Sequence, residues 1–407
     1  MLSGQRGMND GVRLTVGVAG DAEEVLARTR TLIPILRDRA GLVEELRAMP
    51  PASVADLKSA GTARLLQPAR FGGCEAALRT VVDALSAVAR GCGSTAWSMA
   101  QHVSHNYMLA QWPEQAQREV WGEDPTHFLS GIFIPACGRG RRVDGGYVLS
   151  GRWPLVSGVD TCDWCLFSAV TDDGSGVDED RHYALPRSQI EIVDIWRSVG
   201  LKGSSSNDVV VSDVFVPEHR TLSIAHLKGG ITPGNAHSRS PLYRIPSYAI
   251  FGTFISSACL GIAEAALEFY LDGARRRVAL MSRQKVGGYP TQQVKVAEAA
   301  AAIAAARQML LGVCDEAGEI AVRDALPDDE QRAKFRAHAA FGGRLATRTV
   351  ELLWDAGGSS GIYDHNPMSR LFRDMSVAGR HFTQNWDVNG STYGRVLMGL
   401  DLDNPSL

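Results

Sequence analysis

Cysteine is sparse in this 407-residue chain and badly placed for cross-linking. Cys74, Cys92, Cys137, Cys162, Cys165, Cys259 and Cys314 are odd in number and dispersed, which argues against a disulfide framework. Cys162 and Cys165 make a C-x-x-C, yet no second pair completes a zinc site. The following Trp164 to Val170 has strand character, not the helix start that a redox pair needs. No apolar run approaches the ~20 residues that cross a bilayer, so no membrane span is expected. A net charge of -3 gives no reason to expect nucleic acid or an anionic membrane as partner. Met1 to Asp10 is polar and glycine-rich, without the apolar core of a signal peptide, and the expected location is cytoplasmic. No G-x-G-x-x-G follows a strand, which removes a Rossmann nicotinamide site.

What is present changes in texture along the chain. From about Ala22 to Trp112 the sequence is rich in Ala and Leu, with helical stretches broken at Pro50-Pro51 and Phe71-Gly72-Gly73. Between Trp121 and Pro217, short β-branched and aromatic runs alternate with turn residues. Val143 to Tyr147 predicts a hairpin, and Val209 to Val216 predicts one late strand ending at Pro217. The acidic run Asp172 to Asp180 reads as a solvated loop. Helical period returns after a Pro/Gly/Ser-rich connection, Thr232 to Pro246. Leu260, Ala263, Leu267 and Tyr270 share a face, and Ile303, Ala306, Leu310, Val313, Ala317 and Ile320 form the seam of a bundle helix. Phe341, Leu345, Leu352 and Ala356 mark a further helix, with Gly357 as its expected left-handed cap.

Four islands carry candidate chemistry. They are Gly93-Ser94-Thr95-Ala96-Trp97 with His105 and Tyr107; Trp153 to Gly158; Val199 to Asn207, followed by Asp213 to Pro217; and Phe372-Arg373-Asp374 with His381. In order and spacing these islands resemble the two-component flavin-dependent monooxygenases of the acyl-CoA dehydrogenase fold. The oxygenase component of 4-hydroxyphenylacetate hydroxylase and the steroid-ring phenol hydroxylases belong to that group. The resemblance runs from about Ile33 to Leu400. It implies an α+β fold: a flexible N-terminus (1–20), an N-terminal helical domain (21–118), a middle β-barrel or sandwich domain (119–225) and a C-terminal four-helix bundle (226–407). Dehydrogenases of this fold often place a carboxylate base near the C-terminus. No Glu occurs from Asp374 to Leu407, which favours the oxygen-using branch.

The resemblance also implies the reaction. A separate NAD(P)H:flavin reductase supplies reduced FMN or FAD, which reacts with O2 to give a C4a-hydroperoxyflavin, and an electron-rich aromatic substrate is hydroxylated. Ser157 matches the serine near flavin N5, and His381 matches the histidine near the peroxide. His105 matches a histidine on the substrate hydroxyl, with Tyr107 and Trp97 as further substrate contacts. The flavin contacts implied are Trp153, Ser157, Lys202, Ser205, Ser206, Arg276, Gly357 and Gly358. A homotetramer, or a homodimer, is implied as the assembly.

The residues read by themselves leave room for plainer roles. Ser157-Gly158 also suits a turn, His381 a helix-end histidine, and Arg276 a favourable charge at a helix C-terminus. His102 and His105 make an H-x-x-H without a carboxylate, too little for a metal site. Oxygenation of an amine nitrogen or a sulfur is open to the same fold. Two rivals remain at this level: an acyl-CoA dehydrogenase with its base displaced to Glu264 or Glu268, and a non-catalytic flavin-binding assembly protein.

Overall fold

The structure, a computed structural model, describes residues 21–172, 178–229, 231–279, 283–404 and 406–407. The expected flexible stretch 1–20 lies outside the described residues. The chain opens with α1 (Ala22–Leu46), α2 (Pro51–Ala60), α3 (Leu78–Gly91), α4 (Gly93–Leu109) and α5 (Glu114–Trp121). Asp21 caps α1 by accepting from Glu23 N, and Pro51 starts α2, where its missing N–H costs nothing. All of α4 is buried, from Gly93 to Leu109. Gly93 lets it begin against Asp374 and Ile262, whose atoms would lie within 2.9–3.1 Å of an added Cβ.

The strands follow: β1 (Leu129–Ile132), β2 (Gly138–Val143), β3 (Gly146–Val156), β4 (Trp164–Asp172), β5 (Asp178–Pro186), β6 (Glu191–Val193), β7 (Asn207–Pro217) and β8 (Thr221–Ser223). Their order is β6-β7-β3-β2-β4-β5-β8, and β1 runs parallel along β4 ahead of the place where β2 joins it. The expected hairpin is β2–β3, with Val143 paired to Gly146 and Gly145 at φ 74°, a conformation that favours glycine. The expected late strand is β7. Asp178, Glu179 and Asp180 belong to β5 rather than to a loop, because β5 pairs with β4 out to Asp172–Asp178. The part of that acidic run from 173 to 177 lies outside the described residues.

The last section holds α6 (Ile224–Gly229), α7 (Ser247–Arg276), α8 (Pro290–Val322), α9 (Asp329–Gly357), α10 (Pro367–Ala378) and α11 (Trp386–Leu397). The seam from Ile303 to Ile320 is buried as expected, and α8 packs on α9. On α9 the buried face is centred on Ala339, Ala346, Val350 and Leu353; Phe341, Leu345 and Leu352 flank it half-buried. Gly357 is not left-handed. It closes the helix at φ -66°, and Gly358 takes the positive φ of 65°. The expectation about spanning segments also needs correction: α7 and α8 are both long and apolar enough to cross a membrane by length and composition. The apolar window of α7 is 89% buried inside the protein, so its hydrophobicity serves the core.

Candidate active site

α4, β1, the end of β3 and the segments after β6 and α10 meet around a cavity of about 450 Å³. Its polar lining comes from Gln101, Ser157, Ser206, His381 and Arg380; Trp97, Phe133, Leu155, Phe251 and Phe382 supply much of the apolar wall. Among the described residues, no carboxylate lines it. A larger cleft of about 660 Å³ beside α1, α3, α7 and α10 is lined by several charged side chains, and its Glu268 is held by Arg37 and Arg90.

One wall is built on an irregular strand end. β3 and β7 slip register between Trp153 and Val156, and Leu155 sits in this bulge at φ 60°. The bulge turns Leu155 outward, 52% exposed at the cavity, and leaves Trp153 wholly inside the β core. Trp153 stacks on Phe167 with ring centroids 4.7 Å apart and donates from Nε1 to Ser168 O at 2.8 Å. Gly138 and Gly151 make room for its ring. The expected flavin contact at Trp153 is therefore a core contact.

After the bulge, Gly158 takes φ 75° and its N–H donates to Ser204 O at 2.7 Å. Ser98 Oγ donates to the same carbonyl, so α4, the Ser157-Gly158 turn and the 202–206 segment are joined at one atom. Ser157 Oγ accepts from Trp97 Nε1 at 3.1 Å and shares a hydrogen bond with Ser206 Oγ at 2.8 Å; Ser206 in turn meets Ser204 Oγ at 2.7 Å. Indole can only donate. Whenever Ser206 donates to Ser157, the Ser157 proton is free for a group in the cavity.

The histidines are set in different tautomers by their partners. Gln101 O, which can only accept, takes the proton of His105 Nδ1 at 2.6 Å. His105 Nε2 is thus a bare lone pair, fully buried, with no partner among the described residues. At His381 the order is reversed. Thr383 N–H donates to Nδ1 at 3.3 Å, and Gln384 Nε2 donates to the Thr383 hydroxyl, which sits 2.8 Å from Nδ1. The proton of His381 is then on Nε2. Gln384 fits only because Gly343 of α9 has no Cβ, which would stand 1.7 Å from its Oε1. Burial pushes His105 down to about 4 and His381 down to about 3, the latter helped by nearby Arg336, so both rings are neutral near pH 7.

His105 stands just behind the cavity wall. Gln101 and Gly131 line the cavity on either side of it, and a Cβ on Gly131 would come 2.9 Å from His105 Nε2. His102 serves the scaffold: its Nδ1 donates to Leu129 O at 2.8 Å and its ring packs beneath Gly158.

Several expected contacts fall elsewhere. Tyr107 is on the far side of α4, its hydroxyl shared between Leu242 O at 2.9 Å and Ile245 O, which ties α4 to the segment before α7. Lys202 pairs with Glu44 at 3.1 Å outside the cavity. Ser205, at φ 44°, shapes the turn, while its neighbour Ser206 faces the cavity. Arg276 pairs with Asp272 at 3.2 Å. Arg277 is the one that reaches Gly357 O, at 2.8 Å, and neither Gly357 nor Gly358 lines the cavity within one chain. Glu264 is bound by Arg307 at 2.6 Å and Glu268 by two arginines, so the displaced-base reading has no carboxylate at the cavity. Sequence reasoning missed Gln101, Arg380, the Thr383-Gln384 support and Ser130, whose Oγ donates to Ser157 O.

The cavity fits a planar flavin ring on its own evidence. Leu155 and Phe382 are about half exposed at its edge, an apolar rim without a protein cover, beside a hydroxyl able to donate or accept. Residues 253–386 match the family model described as "Acyl-CoA dehydrogenase, C-terminal domain". The fold and the site thus define a flavoprotein of acyl-CoA dehydrogenase type. The chain is 36% identical over 383 residues to the oxygenase subunit HsaA of a flavin-dependent monooxygenase from Mycobacterium tuberculosis, covering 93% of this chain and 96% of that one. It is 32% identical over 406 residues to the oxygenase component of an FADH2-dependent resorcinol hydroxylase from a Rhizobium species, covering 96% and 95%. The crystal structure of 3-HSA hydroxylase from a Rhodococcus species superposes with a TM-score of 0.90 at 32% identity, over 94% of this chain and 99% of that one. The chain belongs to the oxygenase components of the flavin-dependent monooxygenases. It is an enzyme, and reduced flavin is its cofactor.

Proposed function

We propose that this oxygenase hydroxylates a ring carbon of a small phenolic substrate, taking reduced FMN or FAD from a separate NAD(P)H:flavin reductase. The observation that carries the reading is a pair of neutral histidines, His381 offering an N–H on a cavity without a carboxylate among its described lining and His105 offering a lone pair at Nε2 just behind the Gly131 side of its wall. Reduced flavin supplies the two electrons with which O2 gives one oxygen atom to the ring and the other to water. Ser157 and Ser206 would hold the flavin ring by hydroxyls that can donate or accept, with Leu155, Trp196 and Phe382 as the apolar side chains on which it would rest. His381 would offer the Nε2–H as a hydrogen-bond donor to oxygen bound in the cavity. His105 accepts from the phenol O–H, which raises electron density on the ring carbons beside it. With a pKa near 4, His105 polarises this bond rather than removing the proton outright. The aromatic walls keep out the water that would divert oxygen to hydrogen peroxide.

Assembly as a homotetramer or homodimer, and a cytoplasmic location, belong to the same proposal. Apolar side chains exposed on α8 and at the end of α11, Val294, Leu397 and the following Met398 among them, support the assembly. The purified protein with NADH alone is expected to consume no oxygen. With a flavin reductase, FMN or FAD, and a phenol under isotopically labelled O2, it is expected to yield a product carrying one labelled oxygen atom. Unaided NADH oxidation, or a hydroxylated product without label, would contradict the proposal.

A further inference from the structure

Trp97, Gln101 and His105 follow one another at intervals of four on α4, so they form one stripe along the helix. The stripe starts at Ser157, which Trp97 touches, and ends at the unpartnered Nε2 of His105. Gln101 is between them, roughly 6 Å along the axis from each. Its side chain is 5% exposed and lines the cavity. Its backbone carbonyl is used by His105 and Ser104, but its side-chain amide has no hydrogen bond among the described residues. The amide is not among the buried polar atoms left without a partner, so it opens onto the cavity and is free to bond whatever occupies it. Phe133, Ile132 and Phe251 supply the rest of this end of the cavity and carry no polar side-chain atom to do so.

We infer that Gln101 is a specificity-determining residue that binds a second hydrogen-bonding substituent of the phenolic ring, while His105 takes the phenol hydroxyl. This rests on the phenolic reading above and narrows its substrate class to rings carrying two polar groups. The carboxamide has both a donor and an acceptor, so it suits a second hydroxyl or a carbonyl.

The test is ligand binding read by the fluorescence of Trp97 and Trp196, which line the cavity, without flavin, reductase or turnover. Phenol, resorcinol and 3-hydroxybenzaldehyde serve as probes. The wild type is expected to bind resorcinol or the aldehyde about tenfold more tightly than phenol, the value of one satisfied hydrogen bond. Gln101→Leu is expected to erase that preference. Because the amide has no partner among the described residues, the substitution breaks no bond of the fold seen there, and Gln101→Met gives an unbranched second variant. Gln101→Glu keeps an acceptor and loses the donor: it retains the preference for resorcinol if the group is a hydroxyl and loses that for the aldehyde. Failure of the wild type to prefer either disubstituted ring, or a preference that survives in Gln101→Leu and Gln101→Met, overturns the assignment. Labelled-oxygen incorporation in the reconstituted system is a separate readout, so loss of the preference and loss of the oxygenase reading are told apart.

Discussion

His105→Ala is expected to lower ring hydroxylation by roughly tenfold, the value of one hydrogen bond, while oxygen uptake continues, with the missing product recovered as hydrogen peroxide. The split follows from where the side chain stands. His105 is bound to Gln101 O through Nδ1 and touches neither Ser157 nor His381, so the groups that serve flavin and oxygen are left in place. What is lost is the lone pair at Nε2, an acceptor directed at the Gly131 side of the wall. Since burial already holds His105 near 4, its charge does not change between pH 6 and 8, and the wild-type rate should show no step there from this residue. Product chromatography set against oxygen uptake and a peroxide assay measures the split. Hydroxylation and peroxide yields equal to wild type would remove His105 from the substrate site.

The second large effect is expected at Asp374. This carboxylate is buried in α10, where Oδ1 accepts from Leu201 N at 2.6 Å and so holds Leu201 at φ 49° against the cavity. Burial raises its pKa to about 6, opposed by the Leu201 N–H and by Arg370. A carboxyl whose folded pKa is raised binds its proton more tightly folded than unfolded. Its contribution to stability is therefore fully present below the unfolded value of 3.8 and is lost as pH rises through about 6. Asp374→Asn keeps an acceptor for Leu201 and removes the charge. It is expected to be more stable than wild type by roughly 1–3 kcal/mol at pH 8, with the gap closing below pH 4. Urea unfolding at the two pH values checks this, and a gap independent of pH would contradict it. Asp374→Ala, which also removes the acceptor, is expected to lose stability by roughly 1–3 kcal/mol at pH 5.

The broad order of helices, strands and helices was legible because periodicity and turn residues are local signals. The hairpin at Val143–Tyr147 and the seam from Ile303 to Ile320 came through for that reason. Ser157, Ser206, Trp97 and His381 came through by resemblance, and the structure brings them to one cavity. Other positions depended on information that no short window contains. Trp153 and Leu155 were not separable by alternation, since a bulge of one residue decides which of them faces the cavity. On α4 every residue is buried, so no polar face marks the side that carries Gln101 and His105; Gln101 was passed over and Tyr107 looked as suitable as His105. Lys202 is occupied by Glu44, far away in sequence, and the small residues around Gly357 served the end of α9 and Arg277.

The most direct test is to mix the protein anaerobically with FMNH2 or FADH2, add oxygenated buffer in a stopped-flow cell, and follow the return of oxidised-flavin absorbance. The account predicts a clear lag before that absorbance returns, shortened by Ser157→Ala and by His381→Ala, since Ser157 and the Nε2–H of His381 face the cavity where oxygen is handled. Immediate reoxidation at the rate of free flavin, with either flavin and with a phenol present, would contradict it.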